Sequence, residues 1–134
     1  MISYRLGNDL DVDAVIDVYR SSTLGAYRPI DDRDAMTRML EAANLMVSAW
    51  EGEALVGVAR SLSDFCYCTY LSDLAVRLEH QRQGIGKELI RRTQKAGRSA
   101  TIFLLAAPSA VTYYEHLGLS AGSGWLLSPL RRLR

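Results

Sequence analysis

The stretch Leu74-Ala75-Val76-Arg77-Leu78-Glu79-His80-Gln81-Arg82-Gln83-Gly84-Ile85-Gly86-Lys87 decides how this chain folds. A β-branched and aromatic segment, Cys66 to Val76, runs into it, so a strand precedes the glycines. Beyond them Ile85, Leu89, Ile90 and Thr93 fall at helical spacing, with Lys87, Glu88, Arg91, Arg92 and Lys95 mostly on the outer arc, and Gly97 stops the run. The order is strand, glycine-bearing loop, helix N-terminus. Such a loop presents unpaired backbone N–H groups, and the helix dipole adds partial positive charge there. That combination binds phosphate. Glycine at 84 and 86 lets a ligand approach the backbone where a Cβ would obstruct it.

A Walker loop needs four residues between its glycines and Gly-Lys-Ser/Thr at its end. Here Ile85 alone separates Gly84 from Gly86, and Glu88 follows Lys87. The dinucleotide fingerprint fails as well, because neither Gly nor Ala closes it and the first strand–turn lies too far along the chain. The string Gln81-x-x-Gly84-x-Gly86 resembles the acetyl-CoA pyrophosphate loop of the GCN5-related N-acetyltransferases, the GNAT family. That family's pattern is Arg or Gln, two residues, Gly, one residue, Gly or Ala. The Leu74-Ala75-Val76 strand upstream, the helix downstream and a second family-like segment, Tyr113-Tyr114-Glu115-His116-Leu117-Gly118-Leu119, extend the resemblance over nearly the whole chain.

A length of 134 residues suits one domain, residues 1–134, with a real core. Hydrophobic content of 49% and charged content of 23% are ordinary for a soluble globular protein. A net charge of +1 makes no global electrostatic case for nucleic acid or membrane. No apolar run approaches a membrane span, and Met1 leads into Ile2-Ser3-Tyr4-Arg5-Leu6 without a signal-like pattern, so a cytoplasmic protein is expected. Cys66 and Cys68 share a strand face, sit too far apart to bond each other comfortably and do not make a zinc site; they are expected to be strand core residues.

In chain order, Ile2 to Leu6 reads as a short strand. Asn8 or Asp9 can cap a helix in which Val12, Val15, Ile16 and Tyr19 form one buried face. Ser21 to Ile30 is a loop, and Asp31 and Asp32 open a second helix with Met36, Met39, Leu40 and Ala43 inward and Asn44 able to end it. Leu45 to Trp50 and Ala54 to Leu62 are strands around the turn Glu51-Gly52-Glu53. Ser63-Asp64-Phe65 is another turn before Cys66 to Val76, the long central strand. Thr101 to Ala106 is an apolar strand, Pro108 opens a short helix that Gly118 ends, and Trp125 to Leu127 is a last strand. Hairpins first and a β-α-β crossover later imply an α/β (α+β) fold with a mixed sheet and helices on both faces.

The resemblance implies the GNAT arrangement, a mostly antiparallel mixed sheet whose fourth and fifth strands splay apart. It implies that Leu74, Ala75 and Val76 offer backbone groups to the pantetheine arm, like an added strand. The amides around Gln81, Arg82, Gln83, Gly84, Ile85, Gly86 and Lys87 would take the pyrophosphate. The implied reaction is direct attack by a neutral primary amine on the thioester of acetyl-CoA, with no metal. The oxyanion donor would be the N–H of Val76 or Leu74, and the acid for the leaving thiolate Tyr114. Tyr113 is read as filling space beneath the helix.

For a base, strand alternation puts Tyr70, Ser72 and Leu74 on one face and Leu71, Asp73 and Ala75 on the other. Asp73 faces inward unless a bulge switches the parity. It then touches substrate, or else caps a loop or helix end; water relayed by Ser72 is the alternative base. His80 is expected to be solvent exposed and His116 to lie opposite the buried face. Tyr27 and Arg28 are substrate-contact candidates in the wall of the acceptor site, or simply an exposed loop. Ala107 stands where many family members carry Asn for a polar cofactor contact. The basic run Leu130-Arg131-Arg132-Leu133-Arg134 reads as a solubilising tail. The expected acceptor is a small-molecule amine; a protein lysine or N-terminus, or a non-catalytic acyl-CoA-binding module, are the alternatives. Asp73 and Asp64, if near the mouth, would favour a cationic acceptor. Family habit adds a possible homodimer through the C-terminal strand.

Overall fold

The computed structural model describes residues 1–107 and 110–120. Pro108, the strand expected at Trp125 to Leu127, the basic tail and the dimer contact expected there lie outside the described residues.

Five strands form one sheet in the order β1 (Ile2–Leu6), β2 (Leu45–Glu51), β3 (Ala54–Ser63), β4 (Cys68–Val76), β5 (Thr101–Phe103). The first three pairings are antiparallel and β4–β5 is parallel, joined by the crossover helix α3 (Ile85–Ala96). Helices α1 (Val12–Ser21) and α2 (Arg33–Ala42) cover the opposite face. The short helix α4 (Val111–His116) ends at Gly118, whose φ of 92° is left-handed.

Two cores result. On the α1–α2 face, Val15, Ile16, Val18, Tyr19, Met36 and Leu40 pack on Met46, Leu55, Val58 and Ala75. On the α3 face, Ile85, Leu89 and Ile90 pack on Val47, Ala49, Val56, Ala59 and Leu71.

Local capping differs from expectation in instructive ways. Asp11, not Asn8 or Asp9, caps α1, accepting from the Asp13 N–H. Asn8 instead donates its amide to the Leu40 and Ala43 carbonyls at the end of α2, tying β1 to that helix. Asp32 caps α2 through the Ala35 N–H, as its position suggested. Asn44 does not end α2; its side chain bonds Ser63. The Ser21 to Ile30 loop holds a 3-10 turn, Thr23–Tyr27, capped by Ser22.

β4 begins two residues later than expected. The Asp64 carboxylate accepts from the N–H groups of Cys66, Tyr67 and Cys68, which bends the chain before the ladder can start. Cys66 and Cys68 are consequently exposed, not core residues. β5 is shorter than expected, because its ladder with β4 ends at Tyr70 and Phe103.

Simple alternation along β4 also fails. Arg60 opposes Asp73 while Ser61 opposes Leu71, so Ser72 is an extra residue, a bulge. Leu71 therefore joins the α3-face core, whereas Asp73 and Ala75 turn to the α1–α2 face. The bulge also lets the neighbouring side chains of Ser72 and Asp73 reach the same cluster.

Candidate active site

The anchor of the site is the N-terminus of α3. After Val76 the chain makes a 3-10 turn, Leu78–His80, held by Arg77 N–H to the Val56 carbonyl at 2.9 Å and Arg77 Nε to the Leu55 carbonyl at 2.9 Å. His80 is not solvent exposed: its side chain is largely covered, with Nε2 3.1 Å from Glu51 Oε2. Gln81 then donates its amide to the Val76 carbonyl at 2.9 Å, which fastens the loop to the end of β4. Arg82 and Gly84 take left-handed φ values of 63° and 81°, and Gly84 is the N-cap without a side-chain acceptor. The N–H groups from Arg82 through Lys87 find no acceptor among the described residues. Six consecutive backbone donors at the positive end of a three-turn helix form an anion cradle.

Beside the cradle the sheet opens. β4 and β5 pair only from Cys68–Thr101 to Tyr70–Phe103. Past that point Leu71–Val76 and the residues 104–107 form no ladder with each other. Leu74, Ala75 and Val76 thus border a gap that leads from the cradle into the sheet. Ala107 lies on the far wall, its carbonyl taken by the Ala110 N–H at 2.8 Å.

Two tyrosines of α4 pack toward α3. Their rings meet edge to face, with centroids 5.3 Å apart. Tyr113 does not merely fill space: a Cβ on Gly86 would lie 2.5 Å from its hydroxyl, so it reaches the mouth of the cradle. Tyr114 packs into the α3-face core. Burial, and then the neighbouring Tyr113, raise the Tyr114 pKa above its ordinary value, and the Arg28 charge opposes part of that rise. Its phenol is neutral at pH 7 and able to donate.

On the α1–α2 side of the gap lies a buried ion cluster. Asp73 is fully buried and accepts from Arg28 Nε at 2.6 Å, Arg60 Nε at 2.6 Å, Tyr19 Oη at 2.8 Å and Ser72 Oγ at 3.1 Å. Arg60 also donates to Ser72 Oγ at 2.8 Å and to the Met39 carbonyl at 3.3 Å. Burial alone would raise the Asp73 pKa; hydrogen bonds and charge from Arg60, then Arg28, outweigh it and hold the carboxyl below its ordinary range. Four donors fill the roughly four lone-pair sites of a carboxylate. Asp73 has no lone pair left for an incoming proton, and it caps neither loop nor helix. Burial first, then Asp73, pushes the Tyr19 phenol well above its ordinary pKa.

The structure thus gathers Ser72, Asp73 and Arg28 in one cluster, sets Tyr114 against the α3-face core and places Gln81 to Lys87 at the start of α3. Tyr27 is exposed beside Arg28, and Asp64 lies in the turn before β4, where it binds backbone N–H groups. Sequence reasoning missed Arg60 and Tyr19. An arginine inside an apolar strand, Val56 to Leu62, was the available signal, since a buried charge requires a partner. Among the described residues no helix is long and apolar enough to cross a membrane, and no group of His, Cys, Asp and Glu is arranged to hold a metal ion.

Known proteins share this architecture. A family model described as an acetyltransferase (GNAT) domain matches residues 17–122. An uncharacterized N-acetyltransferase, ycf52, of Gracilaria tenuistipitata var. liui is 32% identical over 87 residues, which is 63% of this chain and 48% of that protein. The matched part thus spans about half the length of that curated relative. Among solved structures, the GNAT family protein SP0256 of Streptococcus pneumoniae TIGR4 superposes with a TM-score of 0.72 at 21% identity, covering 95% of this chain and 98% of the other. The aminoglycoside N-acetyltransferase AAC(6')-Iy in complex with CoA gives a TM-score of 0.75 at 15% identity, covering 98% and 96%. At such identities the solved structures speak for the fold.

Proposed function

The chain belongs to the GNAT acetyltransferase family, and from that premise we propose that it transfers the acetyl group of acetyl-CoA to a primary amine by direct attack. One observation carries the reading: the N–H groups of Arg82 to Lys87, without acceptors among the described residues, follow the end of β4, whose ladder with β5 has already stopped at Tyr70. The cradle takes the pyrophosphate. Backbone groups of Leu74 and Val76 take the pantetheine arm, which sets the thioester between β4 and Tyr114; those of Ala75, expected to share the task, face Val58 in the β3 ladder instead. The amine nitrogen attacks the thioester carbon, an N–H of Val76 or Leu74 stabilises the oxyanion, and the C–S bond breaks. The thiolate receives the Tyr114 proton, and the proton that the acylated nitrogen sheds passes through water to restore the phenol.

No free carboxylate serves as base in this scheme. The arginines of the ion cluster assist instead: a positive surplus near the amine favours its neutral form, so its proton passes to water near Ser72. Thiol release from acetyl-CoA across a panel of amines tests the proposal. Release that depends on one class of amine supports it. The occupied state of Asp73 favours one rival, a non-catalytic acyl-CoA-binding module. Tight CoA binding with no turnover of any amine would establish that rival and overturn the enzyme.

A further inference from the structure

The ion cluster narrows the choice of acceptor. Two guanidiniums meet one carboxylate, so the cluster carries a formal charge of +1. Its only anion, Asp73, is completely buried and already takes four donors. A cationic substituent therefore finds no free anion in the cluster. The surplus positive charge rests on the more accessible partner, since the Arg28 side chain is 23% exposed and that of Arg60 9%.

Arg28 is also incompletely used. A guanidinium has five N–H donors. Arg28 engages Asp73 through Nε, the Tyr27 carbonyl through Nη1 at 2.8 Å and the Ser72 carbonyl through Nη2 at 2.7 Å. One N–H on each terminal nitrogen is left over, and two donors on adjacent nitrogens match the spacing of carboxylate oxygens. Among the described residues Arg28 forms no ion pair except with Asp73. Its three bonds span the α1–α2 connection and β4, so the group is held in place before any ligand arrives. Its bonds to the Ser72 carbonyl and to Asp73 set it against β4, two residues before Leu74.

Resting on the reading that this gap holds the acetyl-CoA thioester, we propose that the acceptor is an amine bearing a carboxylate, an amino acid rather than a polycation, and that Arg28 determines this specificity. The carboxylate sits on the two spare N–H groups of Arg28, and the amine points toward β4 and Tyr114. The cluster then changes from a net positive to a neutral assembly on binding. A polyamine or a similar polycation brings further positive charge to the same place.

The test uses two readouts on the CoA-loaded protein. In the first, calorimetric titration compares N-acetylated amino acids with their amides (N-acetylglycine with N-acetylglycinamide, and the leucine, phenylalanine and glutamate pairs). At least one acid is expected to bind tenfold or more tightly than its amide, with a preference that falls as salt is raised. Arg28→Gln removes that preference, and Arg28→Lys, which keeps the charge but not the fork, retains part of it. Equal binding of every acid and amide, or a preference untouched in both variants, overturns the proposal.

The second readout is thiol release with free amino acids, their amides and polyamines. Turnover confined to amides or polyamines overturns the carboxylate site and leaves acetyl transfer standing. Binding of an acid through Arg28 with no turnover of any amine supports the site and overturns acetyl transfer. Thermal unfolding and CoA titration of both variants establish that they are folded; if Arg28→Gln is not, Arg28→Lys decides.

Discussion

Asp73 ties Arg28, Arg60, Tyr19 and Ser72 into one buried cluster. Asp73→Asn keeps the shape and removes the charge that two arginines share. Breaking a buried pair by deleting one partner costs about 3–5 kcal/mol, because the remaining charge stays buried. Urea unfolding at pH 7 is expected to show a loss in that range. The pH dependence has a definite sign. The Asp73 pKa is lowered in the folded state, so its contribution is complete above the ordinary carboxylate value of about 4 and fades as pH falls through the folded value. The gap between wild type and Asp73→Asn should therefore shrink below about pH 4. Glu88, held at about 2 by hydrogen bonds from Arg91 and then Arg92, titrates in the same acid range but is common to both proteins and cancels. Tyr114→Phe deletes only a hydroxyl. If that hydroxyl protonates the thiolate, single-turnover kcat and kcat/KM fall together by roughly 10- to 100-fold, with KM for acetyl-CoA nearly unmoved. Full single-turnover rate in Tyr114→Phe would remove the acid role.

At the scale of elements, the two glycines at the start of α3 act in different ways. Gly84 has open space around a would-be Cβ but a φ of 81°, so its need is conformational. A side chain there costs about 1–2 kcal/mol of backbone strain, and Gly84→Val should weaken CoA binding by distorting the cradle. Gly86 is buried and its need is space: the Tyr113 hydroxyl stands 2.5 Å from a Cβ and the ring carbon bearing it 3.6 Å. Gly86→Ala should lower the melting temperature, and adding Tyr113→Phe should restore most of that loss, because an ordinary 3.6 Å contact then remains. CoA affinity is expected to stay low in the double variant if the phosphate needs the bare backbone at Gly86 as well. Calorimetry on the four proteins of this cycle separates the two effects. Recovery of affinity along with stability would mean that Gly86 serves packing alone.

For the whole molecule, the site lies where the two cores meet a sheet that stops pairing. α3 anchors the cradle on one face, and α1 with its following turn brings Tyr19 and Arg28 to the other. Ligand binding to this seam should stabilise the entire domain. CoA at 100 times its dissociation constant adds about 2.7 kcal/mol, a rise of roughly 5–12 °C in melting temperature for a domain of this size. Amide exchange should slow most at residues 82–87 and along the β5-facing side of β4, where the donors have no acceptor among the described residues. A thermal shift without slowed exchange at those positions would place the cofactor elsewhere.

The sequence by itself was enough for most of the described elements and for the glycine loop that opens α3. Helical spacing in Val12 to Tyr19 and Ile85 to Thr93, the Gly52 turn and the Gly84–Gly86 loop are local patterns, and local sterics and burial periodicity enforce them whatever the rest does. The position of the cradle before α3, the sheet with helices on both faces and the opening beside β4 followed from those signals and from the family resemblance. What only the tertiary structure decided depends on partners distant in the chain. The bulge at Ser72 arises from pairing with β3, and it alone turns Asp73 away from Leu71. Asp73 meets Tyr19, Arg28 and Arg60 across 54, 45 and 13 positions of sequence. No local pattern records such a cluster, because a buried charge is held by whichever opposite charges the fold brings to it. The same reason separates Tyr113 from Tyr114: neighbours in sequence, they are assigned to the cradle mouth and to the core by the packing of α4 against α3 and β4.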